Sequence, residues 1–370
     1  MISHALELSL ADQKISLSNV AMFTAEIFES IYGTSLYYMN FNTTDVDRWE
    51  KIANNGGVSK GKVRWGYATS THPYTWSKWK DIKLQQLRIQ MKGTTVGVSI
   101  RAVDATFELK KTAPRAVFKQ KTVAEMVEKI AGDHKLTKDI DEVSPTKRDL
   151  CQCGMNDYEF IHDELIPLSG KDPVLFYVKD GHTLVFKLKK KGKPVLMFKY
   201  DKEQTEKDVG FHTFETIVTI NASNFGVEAV AFDPLKKESA PFLKEFMAND
   251  DTYGPKGDPL ARISPEPLSV NGQPAQIQSI AIKELGISIQ EELENRVSWD
   301  PGIAMHKTLV PTHLVPQVEI GTIVRLEGVS VATGEELSCT GDHLVYAVYH
   351  RMFPGGDTGT TVFLERRGTV

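Results

Sequence analysis

The sequence predicts a mainly β chain of the α+β class: two antiparallel β-barrels, an α+β unit inserted between them, and a small irregular excursion within the second. Three observations carry that expectation. Residues 1–113 are dominated by short apolar, aromatic and β-branched runs around one capped helix. Residues 114–200 change to helical spacing and then to a hairpin pattern. Strand patterns return in 201–233 and 307–370, while 234–306 between them are proline-rich and irregular.

In the first segment, Ile15-Ser16-Leu17 and the run from Met22 to Leu36 have strand composition, and Ser35 to Phe41 alternates under a Tyr/Phe load. Thr44 is placed to cap a short helix from Asp45 to Ile52, with acids in its first turn and Asn54-Asn55-Gly56-Gly57 as its stop. Strands are expected again over Lys62 to Ala68, Ile82 to Met91 and Val96 to Leu109, the last two joined at Lys92-Gly93. One helix among so many antiparallel strands suggests a closed barrel.

In the second segment Thr122 caps a helix whose apolar positions Val123, Met126, Val127 and Ile130 keep helical spacing. Asn156 caps another, with Phe160, Ile161 and Leu165 on one face before Pro167 and Gly170 end it. Val174 to Val178 and Thr183 to Phe186 pattern as a hairpin across Lys179-Asp180-Gly181. In the third segment strands are expected over Thr216 to Ile220, Gly226 to Phe232, Gly321 to Val329, His343 to Met352 and Thr360 to Arg366. Within the excursion, weak helices are expected around Pro241 to Ala248 and Ile289 to Arg296.

A net charge of -4, from 44 Lys and Arg against 48 Asp and Glu, leaves no basic footprint for wrapping nucleic acid. Three cysteines, two of them spaced Cys151-x-Cys153, argue against a secreted disulfide framework and for folding in a reducing cytoplasm. Met1-Ile2-Ser3-His4 opens no signal peptide, and no window approaches the ~20 apolar residues of a membrane span. Without a secretory route, the sequons at Asn42 and Asn221 are accidental.

Motifs that would indicate catalysis are better explained structurally. Gly56 to Val63 has Walker A spacing, but Val63 replaces the magnesium-binding hydroxyl and a strand pattern follows where a helix should receive phosphate. Gly355-Gly356-Asp357-Thr358-Gly359 reads as a turn between strands, and the basic run Lys187 to Lys193 as a charged hairpin turn. His162-Asp163-Glu164 fits a solvated helix face. Cys151-x-Cys153 is too close for a Cys-x-x-Cys metal clip, and only Cys339 could add a thiolate. No catalytic, cofactor-binding or metal residue is therefore expected. Trp65, Tyr67, Tyr74, Trp76 and Trp79 form the densest aromatic region, read here as a candidate subunit interface. The alternative is a carbohydrate-binding or carbohydrate-cleaving β protein that stacks sugars on the same rings.

The central stretch from Leu150 to Ile161, with the helix before it, resembles the middle of the phage late control D family. These are the tail hub proteins of contractile-tailed phages, which also form the first part of the VgrG spike. Gln152, Asn156, Asp157, Phe160 and Ile161 fit that family's pattern, and Met155 stands where an acidic residue is usual. Ile27-Phe28-Glu29-Ser30-Ile31-Tyr32 is similar to a stretch of the family's first barrel. Val318, Gly321, Val324 and Leu326 follow its C-terminal text, as does Thr361 to Arg366; Tyr346, Val348 and His350 match with a spacing shifted by one.

The resemblance implies tail-tube-type barrels and a structural baseplate protein with no enzymatic activity. It implies a homotrimeric ring whose six barrels adapt a sixfold tail tube to a trimeric spike. The implied partners are the tail tube protein or a tube initiator, the spike, the tape-measure protein and baseplate wedge proteins. DNA would cross the channel without sequence-specific binding. Such a late protein would be assembled in the host bacterial cytoplasm and end in the virion. No lysozyme-like segment follows the strand before Val370, so cell-wall cutting is expected of a separate partner.

Overall fold

The computed structural model describes residues 3–11, 13–18, 23–54, 59–68, 75–92, 94–111, 114–169, 174–188, 193–202, 208–218, 225–233, 238–246, 261–264, 269–270, 273–274, 276–281, 306–329, 333–337, 339–353 and 356–366. The fold is mainly β, as the sequence predicts. The first segment supplies β1 (Ser3–Leu10), β2 (Gln13–Ser18), β3 (Phe23–Ser30), β4 (Leu36–Thr43), α1 (Val46–Asn54), β5 (Lys60–Ala68), β6 (Thr75–Trp76), β7 (Lys80–Lys92), β8 (Thr95–Val103) and a single-turn α2 (Thr106–Leu109). Strands β2-β1-β5-β7-β8-β4-β3 pair in that order, all antiparallel. Alternate residues point inward, so Leu6, Leu8, Phe23, Ile27, Tyr37, Met39, Val63, Trp65, Val98 and Ile100 form one core, over which α1 lays Trp49 and Ile52.

Two local expectations shift. Asp45, not Thr44, caps α1, accepting from the Arg48 amide at 3.2 Å. The expected strand to Leu109 stops at Val103, because the buried Asp104 carboxylate accepts from the amides of Ser35 at 3.1 Å and Thr106 at 3.0 Å and turns the chain into α2.

The second segment contains β9 (Ala116–Lys121), α3 (Val123–Asp133), β10 (Thr137–Ile140), β11 (Arg148–Gln152), α4 (Asp157–Glu159) continued by a π-helical turn over Phe160–Leu165, β12 (Val174–Lys179) and β13 (Thr183–Leu188). Thr122 with Glu125, and Asn156 with Glu159, form reciprocal capping boxes that fix where both helices start. The β12–β13 hairpin turns through Asp180 and Gly181, both at positive φ (53° and 77°). Its two faces serve different cores. Phe176, Val178, Leu184 and Phe186 pack with the helices, whereas Tyr177 and Val185 pack with the second barrel.

The third segment gives β14 (Leu196–Tyr200), β15 (Asp208–Phe211) and β16 (Glu215–Val218). A separate four-stranded sheet is made by β17 (Phe225–Asp233), β18 (Glu238–Phe246), β19 (Ala261–Ser264) and β22 (Gln276–Ala281), with β20 (Ser269–Val270) and β21 (Gln273–Pro274) as a small ribbon. The chain then returns through β23 (His306–Thr312), β24 (Ile323–Glu327), β25 (Gly341–Met352) and β26 (Gly359–Arg366). The second core collects Phe198, Val209, Phe211, Val310, Val324, Leu326, Val345, Val348, Val362 and Leu364.

Several expectations are corrected here. The helix around Pro241 is a strand, since β18 pairs along its length with β17 and long-range pairing overrides local spacing. Gly226 to Phe232 lies in that small sheet and not in the second barrel. The helix near Ile289 falls outside the described residues. The second barrel is not wholly antiparallel, because β14 runs parallel to both β15 and β24. The strands flanking the basic run belong to different sheets, so that run connects two packing units and is not a hairpin turn; residues 189–192 within it lie outside the description.

Both barrels share one fifteen-stranded sheet, and the seam is β25. The Gly341 to Leu344 part of β25 pairs with β24, and the Ala347 to Met352 part pairs with β3. Leu344, Val345 and Val348 accordingly fill the second core, while Met352 fills the first.

Candidate aromatic interface and the buried junction behind it

The segment from Thr75 to Lys80 carries both features. It folds across β5, where the Ser77 amide donates to the Trp65 carbonyl at 2.7 Å and the Ser77 Oγ accepts from the Trp65 amide at 3.0 Å. That clamp puts Trp76 and Trp79 on the outside and Lys80 on the inside.

On the outside, the Arg64 guanidinium lies between two indoles, 4.5 Å from the Trp76 ring and 4.7 Å from Trp79. Glu7 holds the guanidinium from the adjacent strand at 2.6 Å and also meets Lys14 at 3.3 Å. The five aromatic residues expected to form an interface therefore separate. Trp76 and Trp79 are half-buried around Arg64, and Tyr67 packs against the first core. Trp65 is wholly buried with its ring 4.9 Å from His350, which removes it from any surface. Tyr74 lies outside the described residues. In sequence, the period of two that sends Val63 inward also sends Trp65 inward, a signal that aromatic density masked.

On the inside, Lys80 from β7 meets Glu29 of β3 at 3.2 Å and Asp180 of the β12–β13 turn at 2.8 Å, and the Tyr37 hydroxyl donates to Glu29 at 3.2 Å. Burial disfavours the Lys80 charge, but the carboxylates more than offset it and hold its pKa above the ordinary lysine range. The same turn is stitched to the first barrel by the Asp81 amide, which donates to the Asp180 carbonyl at 2.9 Å. Glu319, in the loop before β24, completes the junction by pairing with Lys78 at 2.6 Å and Lys179 at 3.3 Å. All three cores thus meet at one cluster of charges, which sequence reasoning did not single out.

The other sequence candidates are placed as follows. Lys60 to Val63 of the Walker-like stretch are strand residues in β5, with Gly56, Gly57 and Val58 outside the description. His162 lies on the π-helical turn, 2.7 Å from Asp163. Asp357 and Thr358 tie the turn before β26 to Arg351 and the Phe353 amide. Cys151 and Cys153 are disulfide-bonded, whereas Cys339 is buried and outside that bond. Among the described residues, no group of three or more His, Cys, Asp or Glu is placed to hold a metal, and no helix is long and apolar enough to cross a membrane.

No family model matches the sequence, and no curated protein matches it. Solved structures do, and they define a class of fold, one shared by phage tail proteins and a type VI secretion component. The tail protein from Neisseria meningitidis is similar at a TM-score of 0.62 and 10% identity, over 98% of this chain and 96% of that one. The prophage MuSo2 43 kDa tail protein from Shewanella oneidensis is similar at 0.61 and 9%, over 99% and 98%. The E. coli c3393 protein, described as a type VI secretion component resembling bacteriophage tail proteins, matches at 0.56 and 11%, over 97% and 76%.

Proposed function

We propose that this protein is a structural tail or baseplate hub of a contractile phage or a related injection particle. Three copies form a ring, so that two fused barrels per chain present a pseudo-sixfold face to the tube and a threefold face to the spike. The observation that carries this reading is the end-to-end likeness to tail proteins, spanning 98% of this chain and 96% of the Neisseria protein. The single sheet joining both barrels through β25 supports it, because a rigid pair is what a symmetry adaptor requires. In this reading the channel passes DNA or tape-measure protein, the work is non-enzymatic, and the Trp76–Arg64–Trp79 stack contributes to the subunit contact. The sugar-stacking alternative is disfavoured by geometry, since Trp65 is buried and the other two indoles already hold Arg64.

The test is the mass and class-averaged electron-microscope image of the purified chain, alone and with its co-expressed genomic neighbours. A three-subunit ring with an open centre is expected. A chain that stays monomeric with every neighbour overturns the proposal.

A further inference from the structure

We propose that Cys151 and Cys153 form a reversible thiol–disulfide exchange site for small disulfides of the glutathione class. Cys151 lies near the end of β11 and Cys153 just past it, with their side chains bonded on one face, Cα atoms 5.6 Å apart and both residues exposed. Gln152 between them points the other way. It is 1% exposed, and its amide donates to the Asp157 carboxylate at 2.7 Å and to the Met155 carbonyl at 3.3 Å. Asp157 is held in turn by His134 at 2.6 Å, across to the end of α3. Gly154 follows at φ 82°, where a residue without a side chain turns the chain freely.

The backbone around the pair is therefore fixed by the middle residue and not by the sulfur bond. A disulfide that closes so short a loop also constrains the unfolded chain little. The dithiol and disulfide forms are both compatible with the same fold, and both sulfurs are open to a small reagent.

In the oxidising direction, the thiolate of one cysteine attacks a sulfur of glutathione disulfide, forming a mixed disulfide and expelling one glutathione thiolate. The second cysteine thiolate then attacks the protein sulfur of that bond and expels the other. Two protein thiols are oxidised, one glutathione disulfide is reduced to two thiols, and the two protons pass to the released thiolates. A reducing compartment reverses the sequence. The site does not depend on the hub reading.

The full chain is equilibrated in a series of reduced and oxidised glutathione, acid-quenched and alkylated, and each cysteine is read by peptide mass. Cys151 and Cys153 are expected to convert together between dithiol and disulfide across the series, while buried Cys339 stays unmodified in the folded protein. Cys153→Ser is expected to accumulate glutathione on Cys151, and Cys151→Ser on Cys153, with unchanged circular dichroism. A pair that stays oxidised in excess reduced glutathione, or stays reduced in excess glutathione disulfide, overturns the proposal, as does the absence of a mixed disulfide in both variants.

Discussion

Lys80 and Asp180 stand 100 residues apart in the sequence and 2.8 Å apart in the fold. Their contact pins the turn of the inserted hairpin to the first barrel, while Glu29 on the same lysine ties in the strand that meets β25. The charge is shared between the first barrel and the inserted hairpin, and removing it leaves two carboxylates without a cation.

Lys80→Met is expected to cost about 3–5 kcal/mol, the usual penalty for stripping one partner from a buried ion pair. Adding Asp180→Asn should restore part of that loss, and urea denaturation of both variants checks it. Because the folded pKa is raised, the lysine's contribution is complete below the ordinary lysine value of ~10.4 and disappears as pH rises through the folded value. Wild type should therefore lose stability in strong alkali more steeply than the variant.

Gly181→Ala is expected to loosen the same junction from its other side. Gly181 sits at φ 77°, and an added methyl would overlap the Asp81 carbonyl. Positive φ costs about 1–2 kcal/mol for a side-chain-bearing residue, and displacement of the turn adds to it. Faster proteolysis of the inserted unit relative to wild type would report the change; an unaltered digestion pattern would count against it.

His350 and Asp104 predict opposing acid slopes. Burial, reinforced by Lys80, lowers His350 to about 3, so below ~6.5 the unfolded chain takes up a proton the fold refuses. Its effect is a loss of stability as pH falls from ~6.5 towards about 3. Burial raises Asp104 to about 6 against the hydrogen bonds from Ser35 and Thr106, so the fold keeps a proton the unfolded chain releases near ~3.9. Its effect is a loss of stability as pH rises from ~3.9 to about 6. Relative to wild type, His350→Gln should gain up to ~1.4 kcal/mol per pH unit on acidification through the overlap, and Asp104→Asn should show the reverse sign. Denaturation midpoints of the three proteins across that range decide it.

Arg64→Ala is expected to separate Trp76 from Trp79 and to cost about 1–2 kcal/mol in the isolated chain, with a red shift of tryptophan emission. Trp76→Ala should leave the monomer folded while lowering ring formation in sedimentation analysis. Full assembly by both variants would remove the stack from the subunit contact.

Several strands and the starts of both helices of the inserted unit were legible because their causes are local. Thr122 with Glu125 and Asn156 with Glu159 announce capping boxes, and Asp180-Gly181 announces its turn. What escaped depends on distant pairing. Nothing near Pro241 shows that Glu238–Phe246 will be held by the strand before it, and nothing near Lys80 shows its partners 51 and 100 residues away. The aromatic cluster was visible as density, but its division into core and surface followed from strand register, which composition does not carry.

The seam strand also sets the order in which the chain can fold during synthesis. Residues 347–352 pair with residues 25–30 of β3, so the first barrel waits for that partner on a segment translated more than 300 residues later. Until that segment leaves the ribosome, β3 offers a bare edge to any passing strand. So high a contact order implies slow, post-translational completion of the fold, with chaperone protection of the nascent edge as its natural companion.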